Sequence, residues 1–218
     1  AGVTPVNYAY EVGDVHRYGA LGGGVINDRV AINAAFQVAA AGGCKVIFHP
    51  NVDYFLGDSG STENIFTVPG LQSTVVYGNH ARLIMNTTGN YQPVCFNFIN
   101  PLNVTFNDLR VIDNGADLSV DWRGAWFIYL QGTGTSGTYG SVLVSNCHGE
   151  KLVAFLKCGT ASATRIKNVT AINCSTKTVY YPLSFENNGD DVTVVNFRAW
   201  NPRRAYFPIG VQNHDIDL

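Results

Sequence analysis

Three carboxylates and a group of tryptophans and arginines are the residues of this chain best suited to chemistry. Asp117 and Asp121 lie in the stretch Asp117-Leu118-Ser119-Val120-Asp121-Trp122-Arg123-Gly124-Ala125-Trp126, and Glu150 follows. Two carboxyls held about 5 Å apart can run a retaining glycosidase, and a wider separation suits an inverting one. Crowding them raises one pKa and so supplies a protonated general acid. Asp117, Glu150 and Asp121 are therefore the candidate catalytic residues. Trp122, Trp126, Arg198, Trp200, Arg203 and Arg204 are the candidate substrate-binding residues. An indole stacks on a pyranose ring, and a guanidinium pairs with the carboxylate of an acidic sugar. The same residues have plainer accounts: a solvated Asp117–Glu150–Lys177 salt-bridge strip, and tryptophans packed under a loop or against a subunit.

Lyase chemistry would need different groups: a base that takes the proton α to a uronate carboxyl and a cation that neutralises that carboxyl. Lys177, Arg198, Arg203, Arg204 and Tyr206 could supply both. Calcium would be expected only with a lyase, and Glu186, Asp190 and Asp191 form the one tight acidic group; Asn187-Asn188-Gly189-Asp190-Asp191 reads first as a turn. No other cofactor and no metal site is expected. His16, His49, His80, His148 and His214 are scattered, and although His148 and Glu150 share a turn, one such pair is weak evidence. Cys44, Cys95, Cys147, Cys158 and Cys174 show no metal-ligand spacing, and their odd number argues against a disulfide framework. Buried free thiols, as in a protein made in a reducing compartment, are the expectation.

The elements that position these residues are legible from composition and repeats. Only 14% of residues are charged while 46% are hydrophobic, and Gly numbers 23, which suggests a β-rich domain with many turns. A net charge of −2 leaves no basic footprint for nucleic acid, and no run of about 18 apolar residues predicts a membrane span. Leu109-Arg110-Val111-Ile112-Asp113 matches segments beginning at Val142, Val169 and Phe197, at offsets of 33, 27 and 28 residues. First and third positions are apolar and predicted to face inward, second and fourth to face out; the fifth positions (Asp113, Asn146, Asn173, Asn201) should form a structural ladder at a turn. Lys177–Asn187 also matches Arg203–Asn213 at an offset of 26. Such periods predict solenoid coils rather than a sandwich. The longest interval places an inserted loop at Asp117–Trp126 and sets Asp117 over Glu150, and Glu150 over Lys177. Asp215-Ile216-Asp217-Leu218 reads as the start of a further coil, so the chain is expected to be the N-terminal part of a longer protein.

A distinct opening segment precedes the repeats. Gly13-Asp14-Val15-His16-Arg17-Tyr18-Gly19-Ala20-Leu21-Gly22-Gly23-Gly24-Val25-Ile26-Asn27-Asp28 leads into a helix with an Ile32, Ala35, Phe36, Ala39 stripe, then Gly42-Gly43-Cys44-Lys45-Val46-Ile47-Phe48-His49-Pro50. Asn27 or Asp28 can cap the helix and Gly42-Gly43 ends it. This segment resembles the opening of the pectate-lyase-like right-handed parallel β-helix family, and Pro5-Val6-Asn7-Tyr8-Ala9-Tyr10 before it resembles the head-to-solenoid junction of phage tailspikes. The family's Gly-Asp-Gly is Gly22-Gly23-Gly24 here, its Pro-x-Gly-x-Tyr is Pro50-Asn51-Val52-Asp53-Tyr54, and the Asp-Pro-His motif of epimerases is absent. The resemblance implies an all-β, right-handed single-stranded parallel β-helix with an N-terminal capping helix: an extended arm over 1–12, a capping segment over 13–56 and coils over 57–218. It also implies a homotrimeric virion tail protein that binds and cleaves a bacterial capsular or lipopolysaccharide glycan. A secreted polysaccharide lyase and a non-catalytic glycan-binding appendage are the alternatives.

Overall fold

Short segments of alternating β-branched and polar residues, broken every few positions by Asn, Asp or Gly, fold as stacked coils of parallel strands. The computed structural model describes residues 2–119, 123–133, 138–159, 165–185, 190–204, 206–208 and 212–216. The first coil holds β1 (Val46–Ile47), β2 (Asp53–Ser59) and β3 (Asn64–Pro69). The second holds β4 (Gln72–Tyr77), β5 (Arg82–Thr87) and β6 (Val94–Ile99), and the third β7 (Leu102–Asn107), β8 (Arg110–Asp113) and β9 (Trp126–Gln131). The fourth has β10 (Thr138–Ser145) and a long β11 (His148–Cys158), and the fifth β12 (Arg165–Ile172) and a long β13 (Ser175–Phe185). β14 (Asp190–Val195), β15 (Arg198–Trp200) and β16 (Tyr206–Pro208) make the sixth, and β17 (Gln212–Ile216) follows on the first face.

Strands of equal rank pair in parallel. Face A is the seven-stranded sheet β1-β4-β7-β10-β12-β14-β17; face B holds β2, β5, β8 and β15 and face C holds β3, β6, β9 and β16, the two joined because β11 and β13 run through the corner between them. The result is a right-handed parallel β-helix, the hand that right-twisted strands with parallel crossovers adopt. Val104, Val142, Val169 and Val192 stack inside face A, beside a column of Phe106, Val144, Ala171 and Val194.

The pairing register corrects the sequence repeat. Val142 does pair with Val169, at the expected offset. Leu109–Asp113 and Phe197–Asn201, however, run into face B, where Ile112 pairs with Glu150 and Arg198 with Ser175. The second match shifts as well, since Leu183 pairs with Tyr206 and Lys177 with Trp200. Asp215 pairs with Thr193. The inward and outward assignments hold: Leu109, Val111, Val142, Val144, Val169, Ala171 and Phe197 are buried, and Ala199 alone of the predicted inward set is exposed.

Each turn from face A to face B has two residues in coils three to six: Asp108-Leu109, Asn146-Cys147, Asn173-Cys174 and Asn196-Phe197. The first residue is left-handed, with φ of 60, 54, 53 and 49°. Asp and Asn tolerate that region because a short polar side chain can bond locally. The second residue points inward and is buried. The ladder is therefore Asp108, Asn146, Asn173 and Asn196, not the fifth-position set containing Asp113 and Asn201. Asn196 Nδ2 donates to Asn173 Oδ1 at 2.8 Å, and Asn146 Nδ2 to Asn107 Oδ1 at 3.0 Å.

The N-terminal capping segment builds the lid of this solenoid. Helix α1 (Arg29–Gly42) buries Ile32, Ala35, Phe36 and Ala39 completely, and Gly43, at φ 61°, ends it with its N–H on Ala39 O. Asp28 does not cap α1 with its side chain; it accepts from Leu21 N at 2.7 Å and Gly22 N at 3.1 Å and so fastens the glycine loop. Asn27 Oδ1 takes Arg29 N at 3.0 Å instead. Asp14 accepts from His16 N and pairs with His49 at 2.9 Å, and the two imidazoles stack at 3.9 Å. The arm is tied down where Val6 N and Asn7 N donate to Arg17 O.

Two side chains hold the parts together. Phe96 lies 5.1 Å from both Phe36 of α1 and Phe66, and within 6 Å of Phe98, Phe106 and Phe127. Asp113, wholly buried, accepts from Thr87 N (2.9 Å) and Oγ1 (2.6 Å), from Gly115 N (3.0 Å) and from Ala125 N (2.8 Å). It grips both ends of the inserted loop, 114–125. The five cysteines are free, and four are buried; burial pushes the Cys174 thiol up to about 11.

Phe96→Ala should lower unfolding free energy by about 3–5 kcal/mol in denaturant titrations, because the hub loses its ring and leaves a cavity. Asp113→Ala should cost more than about 3 kcal/mol, since it strands several buried donors at once. The same variant should open the inserted loop to limited proteolysis at a protease dose that leaves the parent intact.

Candidate functional site

Strand alternation places two columns of side chains on the outside of face B. One runs Asp53, Arg82, Arg110, His148, Ser175, Arg198, and the other Phe55, Ile84, Ile112, Glu150, Lys177, Trp200. Where face B meets face A, the two-residue corners form the floor of an open cleft of about 690 Å³. Its lining includes the corner residues Asp108, Asn146 and Asn173 and the first-column residues Arg110, His148 and Ser175. His80, Asn107 and Trp200 complete it. A further hollow of about 310 Å³ carries the cleft past Ser175 and Trp200 to Asn196 and Arg198.

The polar groups along this cleft are held in fixed positions. Asp108 is bonded to His80, with Nδ1 to Oδ1 at 2.6 Å and the backbone N–H on Oδ2 at 3.1 Å. Arg82 forms a two-point bond to Asp53, at 3.0 and 2.5 Å. Glu150 and Lys177 approach to 3.7 Å. His148 Nδ1 and Ser175 Oγ share a hydrogen bond of 2.8 Å. Burial holds the His148 imidazole below its ordinary pKa; Glu150 acts in the other direction, and Arg110 and Lys177 add to the lowering. Among the described residues neither Arg110 nor Arg198 has an ion-pair partner. Trp200 is half exposed.

The residues singled out in the sequence divide between this cleft and another surface. Arg198 and Trp200 lie on the outer side of face B as expected and line the cleft. Glu150 does sit beside Lys177, but its other neighbour is Ile112, not Asp117. The offset that sets Asp117 over Glu150 is counted from a segment belonging to another face. Asp117 lies in the inserted loop, where it accepts from Ser119 N (3.1 Å) and Ser119 Oγ (2.5 Å) and approaches Arg123 at 3.6 Å. Those serine bonds, followed by the Arg123 charge, hold its carboxyl below the usual range, opposite to what a general acid needs. Asp121 and Trp122 lie outside the described residues, as do Glu186 and the side chains of Asp190 and Tyr206.

Trp126 and Arg203 engage the inserted loop, and Arg204 covers the tyrosines beside it, away from the residues that line the cleft. Val153, Ala154, Tyr180 and Tyr181 form an outward apolar cluster against which Leu118 and Trp126 pack. The Lys157 ammonium sits 4.0 Å from the centre of the Trp126 ring. Arg203 lies over Tyr180 at 5.0 Å and donates to Leu118 O, and Arg204 covers Tyr180 and Tyr181 at 5.8 and 5.7 Å. Sequence reasoning passes over Asp108, Arg110 and His148 as parts of one site. The usable signal is the Asp/Asn followed by a buried apolar or Cys residue, which repeats before each face B strand of coils three to six. No group of three or more metal-ligating side chains occurs among the described residues.

No protein-family model matches the chain, and no curated protein matches it. Among solved structures, a candidate glycosyl hydrolase from Parabacteroides merdae is 12% identical over 86% of this chain and 93% of its own, with a TM-score of 0.30. The surface protein and adhesin PfbA of Streptococcus pneumoniae is 9% identical over 93% of this chain and 97% of its own, with a TM-score of 0.26. Likenesses this distant carry no chemistry across, so the function of the cleft rests on its own residues.

Proposed function

We propose that this protein is a glycan-binding β-helix whose A–B cleft takes an extended bacterial surface polysaccharide. The observation that supports this is an open polar cleft running across several coils, with the exposed Trp200 at one end. Amides, hydroxyls and an imidazole on a rigid floor suit the many hydroxyls of a sugar chain, and an indole suits the apolar face of a pyranose. The N-terminal helix, which closes one end of the solenoid, fits the resemblance to pectate-lyase-like β-helices, tailspikes and secreted lyases alike. A capsular or lipopolysaccharide glycan, a virion location and a homotrimeric state are parts of the same proposal. Binding is preferred to cleavage because the register separates Asp117 from Glu150, and Glu150 has a lysine beside it.

Trp200→Ala should weaken binding to a retained polysaccharide at least tenfold, about 1.4 kcal/mol, in calorimetry or surface binding, with an unchanged melting profile. Equal affinity in parent and variant would remove the cleft from the proposal. In parallel, polysaccharide incubated with the full chain should yield no new reducing ends. Reducing ends that appear with the parent and disappear with Glu150→Gln would replace binding by hydrolysis at this face.

A further inference from the structure

Face B is asymmetric in charge along the cleft. The first column places Arg82, Arg110, His148, Ser175 and Arg198 on five consecutive coils. Parallel strands lie about 4.8 Å apart, so Arg110 and Arg198 are about 14 Å apart with His148 and Ser175 between them. The carboxylates nearby are already engaged: Asp53 by Arg82, Asp108 by His80 and Glu150 by Lys177. Arg110 and Arg198 are exposed, and no carboxylate answers either of them among the described residues.

His148 sits between the two unanswered guanidiniums. Ser175 Oγ fixes its Nδ1 edge at 2.8 Å, and Nε2 has no protein partner among the described residues. The ring lines the cleft. The charged and titratable groups that act on it are Arg110, Glu150 and Lys177, and Asp108 with its partner His80 shares the cleft.

We infer that the cleft is built for an acidic glycan and that His148 Nε2 donates to a sugar carboxylate held between Arg110 and Arg198. This rests on the glycan-binding proposal and names its substrate class. Arg110 and Arg198 each present a flat array of donors that matches a carboxylate. His148 adds a donor whose charge depends on occupancy. In the empty cleft, burial and the neighbouring cations favour the neutral ring. A carboxylate at Nε2 reverses that balance, so binding takes up a proton. Affinity then rises as pH falls through the bound-state pKa of His148, and levels off below its free-state pKa. The gain persists until the sugar carboxylates themselves begin to protonate, near pH 4.

The test follows the His148 imidazole by NMR in the full chain, titrating pH in the presence of sodium glucuronate, glucose, sodium chloride or inorganic phosphate at matched ionic strength, with each solute raised until the His148 signal no longer changes, because a single sugar binds such a cleft weakly. Glucuronate should raise the His148 midpoint by about half a unit or more, a threefold or larger gain in proton affinity. Glucose and chloride should leave it in place, and the combined Arg110→Gln, Arg198→Gln variant should lose most of the shift. Both arginines are exposed, so that variant keeps the fold, which a melting curve verifies. No shift with glucuronate, or a shift as large with phosphate, would overturn the inference. Polysaccharide retention sensitive to Trp200→Ala would meanwhile leave the glycan-binding proposal standing, so the two failures are distinguishable.

Discussion

In a stack of parallel coils the backbone hydrogen bonds run between coils, so every side chain has as its neighbour the residue at the same register one strand spacing away. This constraint governs both the core and the outer face. Inside, it forces apolar columns such as Val142, Val169 and Val192 to match in size and shape. Outside, it sets Arg82 beside Arg110 and Arg110 beside His148, whatever their charges. Two like charges at that distance repel by about 1 kcal/mol in water and by more where water is partly excluded. Asp53 relieves Arg82 with a two-point bond. Arg110 has no such relief among the described residues. Uncompensated positive charge on a rigid, open cleft is tolerable for stability and useful for attracting an anion.

The same constraint makes the ends of the stack costly, because the first coil offers unpaired backbone and an open core. The N-terminal capping segment answers both. Helix α1 covers the core with a completely buried stripe, and Phe36 reaches the second coil through Phe96. Asp14 and Asp28 then fix the loops around it, each accepting from two consecutive or nearby groups. The inserted loop is handled in a similar way at the B–C corner. Asp113 grips its two ends, and Arg203 ties Leu118 of the loop to Tyr180. Trp126 and Arg203, which look like glycan contacts in sequence, are engaged with this loop, because an insertion on a solenoid needs its own small core.

How much of this can be read from the sequence depends on the kind of information each feature needs. Alternation gives the inward and outward faces of Leu109–Asp113 and Val142–Asn146 correctly, because the side-chain period of a strand is local. It cannot tell face A from face B. Both segments read as apolar at the first and third positions and Asp or Asn at the fifth, and only a two-residue corner separates the end of one face from the start of the next. A coil offset taken across that corner is wrong by several residues, and this is what misplaces Asp117 over Glu150. The helix and its end at Gly43 are legible for the opposite reason, since stripe and stop signal lie within one segment. The cleft is not legible, because Asp108, Arg110, His148 and Trp200 meet through a register that the sequence does not display. Arg198 and Trp200 can be paired only because they share a strand.

The shape of the site favours a polymer over a small molecule. An enclosed pocket obtains affinity by surrounding its ligand, and this cleft is open along its length. One sugar lying in it would bury a modest area and bear the full cost of losing translational and rotational freedom. A chain of sugars bears that cost once while each added unit meets another coil. The solenoid supplies equivalent positions at a fixed spacing, with an amide at Asn146, Asn173 and Asn196 and a polar or cationic group at Arg110, His148, Ser175 and Arg198. Weak contacts repeated along a rigid track add up as linked sites do, with affinity that grows with the length engaged. Such a surface tolerates the loss of one weak contact, while a fragment shorter than the track loses most of its hold. Trp200, where the preceding coils carry Lys177 and Glu150, is the exception to that redundancy among the described residues and so the position where a single side chain decides most.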